Sequence, residues 1–385
     1  MRILFLTDGI YPFVNGGMQK HSFFLAKELA QLGCKITLAH CTYNQDAPGG
    51  EHVLDALSLN DKEITVHGYR FPQRDSLPGH YIRASKHYAK QLYSDFKHRL
   101  EEFDLVYAKG FCALYFKQLQ IPLVSNIHGY EMYQASADLK SKLNAYILRS
   151  LSDKILRQSD YLASYGGKIT ELLLSLNIPK DRILEIPGGI QVESIQGAEK
   201  IREARKAIKF VFVGRYERRK GIEELNLAIE KLLKKRDDFE FHFVGPIPKA
   251  AQLDSAACIY HGQLKGQDSI FAVLDQCDVL VAPSHAEGMP NVILEGLARG
   301  LAIIATDVGA VSMMLDSSNG ILLKKAEPLE IEAAMQNILN SDSERIRSLK
   351  QCSLKKAQSF TWQKIAEEHF KRFTEISEKF TKNFA

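Results

Sequence analysis

Short apolar runs recur along this chain, each followed by a polar, glycine-bearing turn and then by a stretch with helical periodicity. Residues 3–6 (Ile-Leu-Phe-Leu) read as a first buried strand. From about Met18 the apolar positions Phe23, Phe24, Leu25, Leu29 and Leu32 share one face of a helix that stops at Gly33, and 36–39 gives a second strand. This is the βαβ opening of a doubly wound parallel sheet. Further strands are expected over 64–71, 104–109, 123–127, 160–164 and 183–186, with amphipathic helices over 81–100 and 140–158. Residues 51–61 show no clear pattern.

Residues 191–208 are polar, charged and poorly patterned, as a connection between domains would be. A second series follows. Strands are expected over 210–213, 241–244, 278–283, 301–306 and 321–323, with helices beginning near Ile222 and running through Arg299 to a stop at Gly300. The tail is helical from 327, and Phe360-Thr361-Trp362 opens a last amphipathic helix carrying Ile365, Ala366, Phe370 and Phe373. The fold class is therefore α/β, with two Rossmann-like doubly wound domains over 1–192 and 209–361 and a linker over 193–208.

Composition narrows the partners. With 385 residues, 45% of them hydrophobic and 25% charged, the chain has the makeup of a globular protein large enough for two cores. A formal net charge of +4 is too small to argue for nucleic acid. Six scattered cysteines show no metal-ligand spacing, so reduced, buried thiols in a cytoplasmic protein are expected. No apolar run approaches membrane-spanning length, which leaves peripheral contact. Arg83, Lys86, Lys90, Lys97 and Arg99 on the 81–100 helix face only Asp95, so that helix either covers the sheet with a solvated face or meets an anionic membrane.

Candidate chemistry gathers at strand ends. In Ser284-His285-Ala286-Glu287-Gly288-Met289-Pro290-Asn291, Gly288 frees the backbone and Pro290 suits a helix's first turn. Glu287 then lies in the loop and Glu295 on the helix's second turn. The unpaired N–H groups between them suit an anion such as a diphosphate, and the carboxylates suit hydroxyls. Gly16 and Gly17 precede the first helix without forming a dinucleotide-binding G-x-G-x-x-G. His128, followed by Gly129, closes the 123–127 strand. Gly214-Arg215 through Lys220-Gly221 places cations after the 210–213 strand, where they can neutralise phosphates. Pro187-Gly188-Gly189-Ile190 is a turn.

The 284–300 segment, on to Thr306 and Gly309, resembles the glutamate-x7-glutamate element of retaining glycosyltransferases of the two-Rossmann-domain (GT-B) architecture, above all family 4. Gly16-Gly17-x3-His21, His128-Gly129, Gly-Arg-x4-Lys-Gly and the loop 259–264 with Gly262 are similar to other elements of that family. The resemblance covers nearly the whole chain. It departs at Gly188 and Gln191, where the family usually has Asn and Asp, and at Pro246-Ile247-Pro248.

The resemblance implies transfer of a sugar from a nucleoside-diphosphate sugar, with retained configuration, to a sugar, lipid-linked or glycan acceptor. A UDP-sugar is favoured, GDP-mannose second. Arg215 and Lys220 would hold the diphosphate, His128 a sugar oxygen, Glu287 sugar hydroxyls and Glu295 the ribose diol. Gly16, Gly17, Gly214, Gly262, Gly288, Met289, Pro290 and Asn291 would line the donor. With these cations and no Asp-x-Asp, neither metal nor cofactor is expected. The last helix, 362–385, would pack back on the first domain. Arg218 and Arg219 match nothing in the family and are expected to be solvated. The alternatives are a sugar-nucleotide epimerase of the same fold, or a non-catalytic nucleotide-sugar-binding protein.

Overall fold

The computed structural model describes residues 1–14, 16–42, 50–59, 62–72, 79–134, 139–200 and 207–384. Seven parallel strands form the first sheet: β1 (Arg2–Leu6), β2 (Lys35–Thr42), β3 (Ile64–Arg70), β4 (Leu105–Lys109), β5 (Leu123–Asn126), β6 (Tyr161–Ser164) and β7 (Ile183–Glu185). Their order is β3-β2-β1-β4-β5-β6-β7. The second sheet holds β8 (Ile208–Val213), β9 (Phe239–Val244), β10 (Cys258–Gly262), β11 (Val279–Ala282), β12 (Ala302–Thr306) and β13 (Gly320–Leu323), in the order β10-β9-β8-β11-β12-β13. All pairings in both sheets are parallel.

Alternation explains why the central strands are apolar on both faces. Leu4 and Leu6 enter one core and Ile3 and Phe5 the other, because successive side chains leave a strand on opposite faces. Phe210 and Phe212 are divided from Val211 in the same way across the second sheet. The strand order reverses between β1 and β4 and again between β8 and β11. Those are the switch points at which open α/β sheets leave a crevice at their carboxyl ends.

The chain returns to its first half near its end. Ile190 bridges Thr361, and the Trp362–Phe384 helix buries Trp362, Ile365, Ala366, Phe373 and Ile376 in a core shared with Phe24 and Leu25. The helix His80–Phe96 buries Tyr88, Ala89, Leu92 and Phe96 against the first sheet, with Arg83, Lys86, Lys90, Lys97 and Arg99 outside. Among the described residues, no helix is long and apolar enough to cross a membrane. Five cysteines are buried, Cys352 is half-buried, and all are free thiols.

Three expectations need correction. Residues 51–61 are not patternless, since a helix spans Gly50–Leu57 and buries Val53 and Leu57, one turn apart; two turns are too short for periodicity to emerge. The 259–264 segment is not a loop: Cys258–Gly262 is an edge strand on β9. The expected linker ends early, because Ile208 already pairs with Phe239; 201–206, within that linker, lie outside the described residues.

Candidate active site

Two strand-end loops meet where the second sheet's order reverses. Residues 283–290 leave β11 and enter the helix Asn291–Ala298, while 214–221 leave β8 and enter the helix Ile222–Leu233. Gly221, at φ +68°, caps the second of these helices; a Cβ there would fall on the Pro283 carbonyl, so the two loops touch only because residue 221 is glycine. Pro290 is the cap residue rather than the first helical one.

Glu287 is buried in that junction and its carboxylate is fully engaged. Lys220 Nζ donates to Oε1 at 2.5 Å, Arg219 Nη1 to Oε2 at 3.0 Å and Ser284 Oγ to Oε1 at 3.0 Å. Burial alone would raise its pKa, but Lys220 and Arg219 outweigh that and hold the carboxyl below its usual range. Two cations thus converge on one carboxylate beside the helix N-terminus, where a phosphate pair is favoured.

The cations are not distributed as the sequence suggests. Arg219, expected to be solvated, is the second partner of Glu287 and also meets Glu217 at 3.2 Å. Arg218, likewise expected in solvent, pairs with Glu224 at 2.5 Å and His285 at 2.9 Å and so pins the loop from behind. Arg215 extends outward, 73% exposed, to Glu217 at 2.8 Å. The 3₁₀ turn Arg218–Lys220 explains this, because it sends neighbouring side chains in divergent directions that sequence spacing does not reveal.

The first sheet supplies the facing wall. His128 follows β5 with φ +73°, and Tyr130 has φ +54°. These conformations fold 128–131 back toward the second sheet, where a Cβ on Gly288 would lie 2.7 Å from Gly129 Cα. His128 Nδ1 is 2.6 Å from Tyr165 Oη, and Nε2 lies 3.5 Å from the position a Cβ on Gly17 would take. Burial, with Lys109 and Arg219 near, pushes the His128 pKa down to about 3, so the ring is neutral. Asn291 Nδ2 approaches the same Gly17 position at 3.4 Å, so the Gly17 turn, His128 and the helix start converge. Gly16, just before, caps the helix Gly17–Gln31.

Gln134 fastens the two walls, donating to the Glu287 and Gly129 carbonyls at 2.6 Å each and accepting from Glu287 N–H at 3.3 Å. Met289 Sδ accepts from Gly188 N–H at 2.9 Å. Glu295 lines a narrow cavity with Lys20, Phe24, Gly189 and Trp362; burial raises its pKa and Lys20, 3.8 Å away, opposes the rise. Gly214 and Gly262 lie at the ends of β8 and β10, each bonded to a neighbouring strand end. Among the described residues, neither touches Glu287.

Sequence reasoning missed Arg219, Gln134 and Glu131. The Glu131 carboxylate folds over Gly129, open to water within the cleft; surrounding protein nonetheless raises its pKa, opposed by Arg219 and raised further by Glu287. A carboxylate three residues beyond the strand-end histidine was the available signal.

Comparison with known proteins bears on family and fold. Residues 15–194 match the family model Glycosyltransferase Family 4, and residues 207–341 match Glycosyl transferases group 1. A putative teichuronic acid biosynthesis glycosyltransferase, TuaC of Bacillus subtilis, is 30% identical over 253 residues, covering 62% of this chain and 59% of that protein. The chain thus matches under two thirds of that relative's length. The glycogen synthase of Mycobacterium tuberculosis is 23% identical over 95% of this chain and 92% of its own. Among solved structures, sucrose-phosphate synthase of Thermosynechococcus elongatus superimposes with a TM-score of 0.74 at 16% identity, over 97% of this chain and 98% of that one. Anabaena HepE in complex with UDP does so with a TM-score of 0.68 at 16% identity, over 97% and 100%. Two parallel α/β domains, a glutamate loop facing a histidine wall and family models over both halves lead to one conclusion: the chain belongs to glycosyltransferase family 4 and has the GT-B fold.

Proposed function

We propose that the chain is a retaining glycosyltransferase that moves a sugar from a nucleoside-diphosphate sugar to an acceptor hydroxyl in polysaccharide or glycolipid synthesis, without a metal. The observation that carries this is the buried Glu287 held by Lys220 and Arg219 at the start of the Asn291–Ala298 helix, opposite neutral His128. A diphosphate entering there meets two cations and a helix N-terminus, which stabilise the charge that grows as the sugar departs. Arg215, free to swing from the surface, adds a third cation. Glu287, released from Lys220, then accepts sugar hydroxyl hydrogens and orients the anomeric carbon. Glu295 takes the ribose diol.

A UDP-sugar is the first choice of donor and GDP-mannose the second, and the UDP complex of HepE supports that order. The relative in teichuronic acid synthesis supports a surface-glycan acceptor. A lipid-linked acceptor would bring the basic outer face of the His80–Phe96 helix to an anionic membrane.

The test is binding and turnover of UDP-, GDP- and ADP-sugars with and without chelator, and NMR of the product's anomeric configuration. Selective donor use that survives chelation, with retained configuration, supports the reading; failure of every nucleotide sugar to bind overturns it. Co-sedimentation with vesicles, with and without anionic lipid, checks the membrane contact; equal partitioning removes it.

A further inference from the structure

Beneath the His128 wall lies a buried polar chain to which the proposed transfer assigns no task. Lys109 is the last residue of β4, at the switch point beside β1, and is fully buried. Its Nζ lies 3.4 Å from Tyr165 Oη and 3.2 Å from His21 Nδ1. Tyr165, also buried, follows β6 and reaches His128 Nδ1 at 2.6 Å. Asp8, after β1, provides the nearest opposite charge and is itself held by Gln19 at 3.1 Å.

Proton counting along this chain starts from the lysine. A lysine ammonium only donates, so Tyr165 Oη accepts from it. With its single proton directed at the close 2.6 Å contact, Tyr165 makes His128 Nδ1 the acceptor, and a neutral imidazole accepting on Nδ1 carries its proton on Nε2. That nitrogen is the one facing Gly17 and the cleft. We infer that Lys109 and Tyr165 are positioning residues that hold His128 in the Nε2–H tautomer, so that it presents a hydrogen-bond donor to an oxygen of the bound sugar.

The same rule applies to His21. Accepting from Lys109 on Nδ1, it carries its proton on Nε2, a buried atom with no partner among the described residues, and its ring edge lies against Trp362. Burial, offset in part by Asp8, brings the Lys109 pKa down to about 7, so the lysine is cationic at pH 6, where His128 is still neutral.

The role given to His128 rests on the glycosyltransferase reading, whereas the tautomer does not, and the experiment separates the two. Ligand-free protein labelled with ¹⁵N-histidine is recorded at pH 6 by long-range ¹H–¹⁵N correlation, with His128 assigned by its loss in His128→Gln. The expected result is a protonated Nε2 and an unprotonated Nδ1 in the wild type, with the Nδ1–H form appearing in Tyr165→Phe and Lys109→Met. Transfer by Tyr165→Phe should lose about tenfold in kcat, the worth of one hydrogen bond, with a smaller change in KM. A proton on Nδ1 in the wild type, or an unaltered tautomer in Tyr165→Phe, overturns the relay even if sugar transfer is found. A fixed tautomer without nucleotide-sugar binding overturns the transferase reading instead. Should Lys109→Met fail to fold, Tyr165→Phe decides alone.

Discussion

Lys220 and Glu287 stand 67 residues apart in the chain and 2.5 Å apart in space. With Arg219 they form a partly buried cluster of two cations and one anion, in which the carboxylate orders the cations before any phosphate arrives. Replacing Glu287 by Gln removes the charge while keeping the shape. Transfer should fall at least about a hundredfold, as when a group that acts mainly in the transition state is lost. Affinity for a nucleoside diphosphate should hold or rise, because two cations lose their competitor. Isothermal titration beside steady-state rates checks this, and weaker nucleotide binding would show that Glu287 holds the donor as a whole.

Arg219 and Arg215 should separate cleanly. Arg219→Ala leaves buried Glu287 with one cation and should lower the thermal midpoint as well as activity. Arg215, largely exposed and paired with Glu217, should leave stability within about 0.5 kcal/mol when changed to Ala, and lower donor affinity alone. Differential scanning fluorimetry beside donor titration distinguishes them. Equal thermal losses would contradict the assignment.

Gly309 supports the glutamate loop from below. At φ +56°, a Cβ there would fall on the carbonyl oxygens of Glu287 and Gly288, which are backbone atoms and cannot rotate away. Gly309→Ala should cost about 1–3 kcal/mol of stability and displace Glu287. Urea unfolding and kcat measured together should both fall; unchanged values would show a compliant loop.

Acid should destabilise the protein through its buried histidines. Burial brings His40 and His369 down to about 4 and His128 to about 3. In the unfolded chain each protonates near its ordinary value of about 6.5. Between those values the unfolded state binds more protons, so the stability these histidines contribute is full above pH 6.5 and is lost as pH falls toward 4. Asp8, raised to about 6 by burial, works in the opposite direction below that pH. His40 has neither ring nitrogen partnered among the described residues, so His40→Phe should flatten the slope by one proton, about 1.4 kcal/mol per pH unit. Urea midpoints from pH 4.5 to 7 measure it, and an unchanged slope would place the sensitivity elsewhere.

The central strands were legible because they are buried on both faces, and a run such as Val279–Ala282 has no polar position to disguise it. The carboxyl ends of those strands were legible too, and they contain Glu287, His128 and Lys220. Short helices were not, since Gly50–Leu57, with two buried apolar side chains, cannot display a period.

Sequence by itself determined the two βα series, the turns that glycine and proline require, and the types of charged group at their ends. It could not determine which of Arg215, Arg218 and Arg219 turns toward Glu287. That depends on a 3₁₀ turn and on the carboxylates that happen to stand around it, Glu217, Glu224 and Glu287, two of which come from other elements. Nor could it join Lys109, Tyr165 and His128, which end three different strands and meet only because the sheet order lays β4, β5 and β6 side by side. Local pattern fixes where a side chain sits along its own element; its partners are set by long-range pairing, through which distant strand ends come within hydrogen-bonding reach.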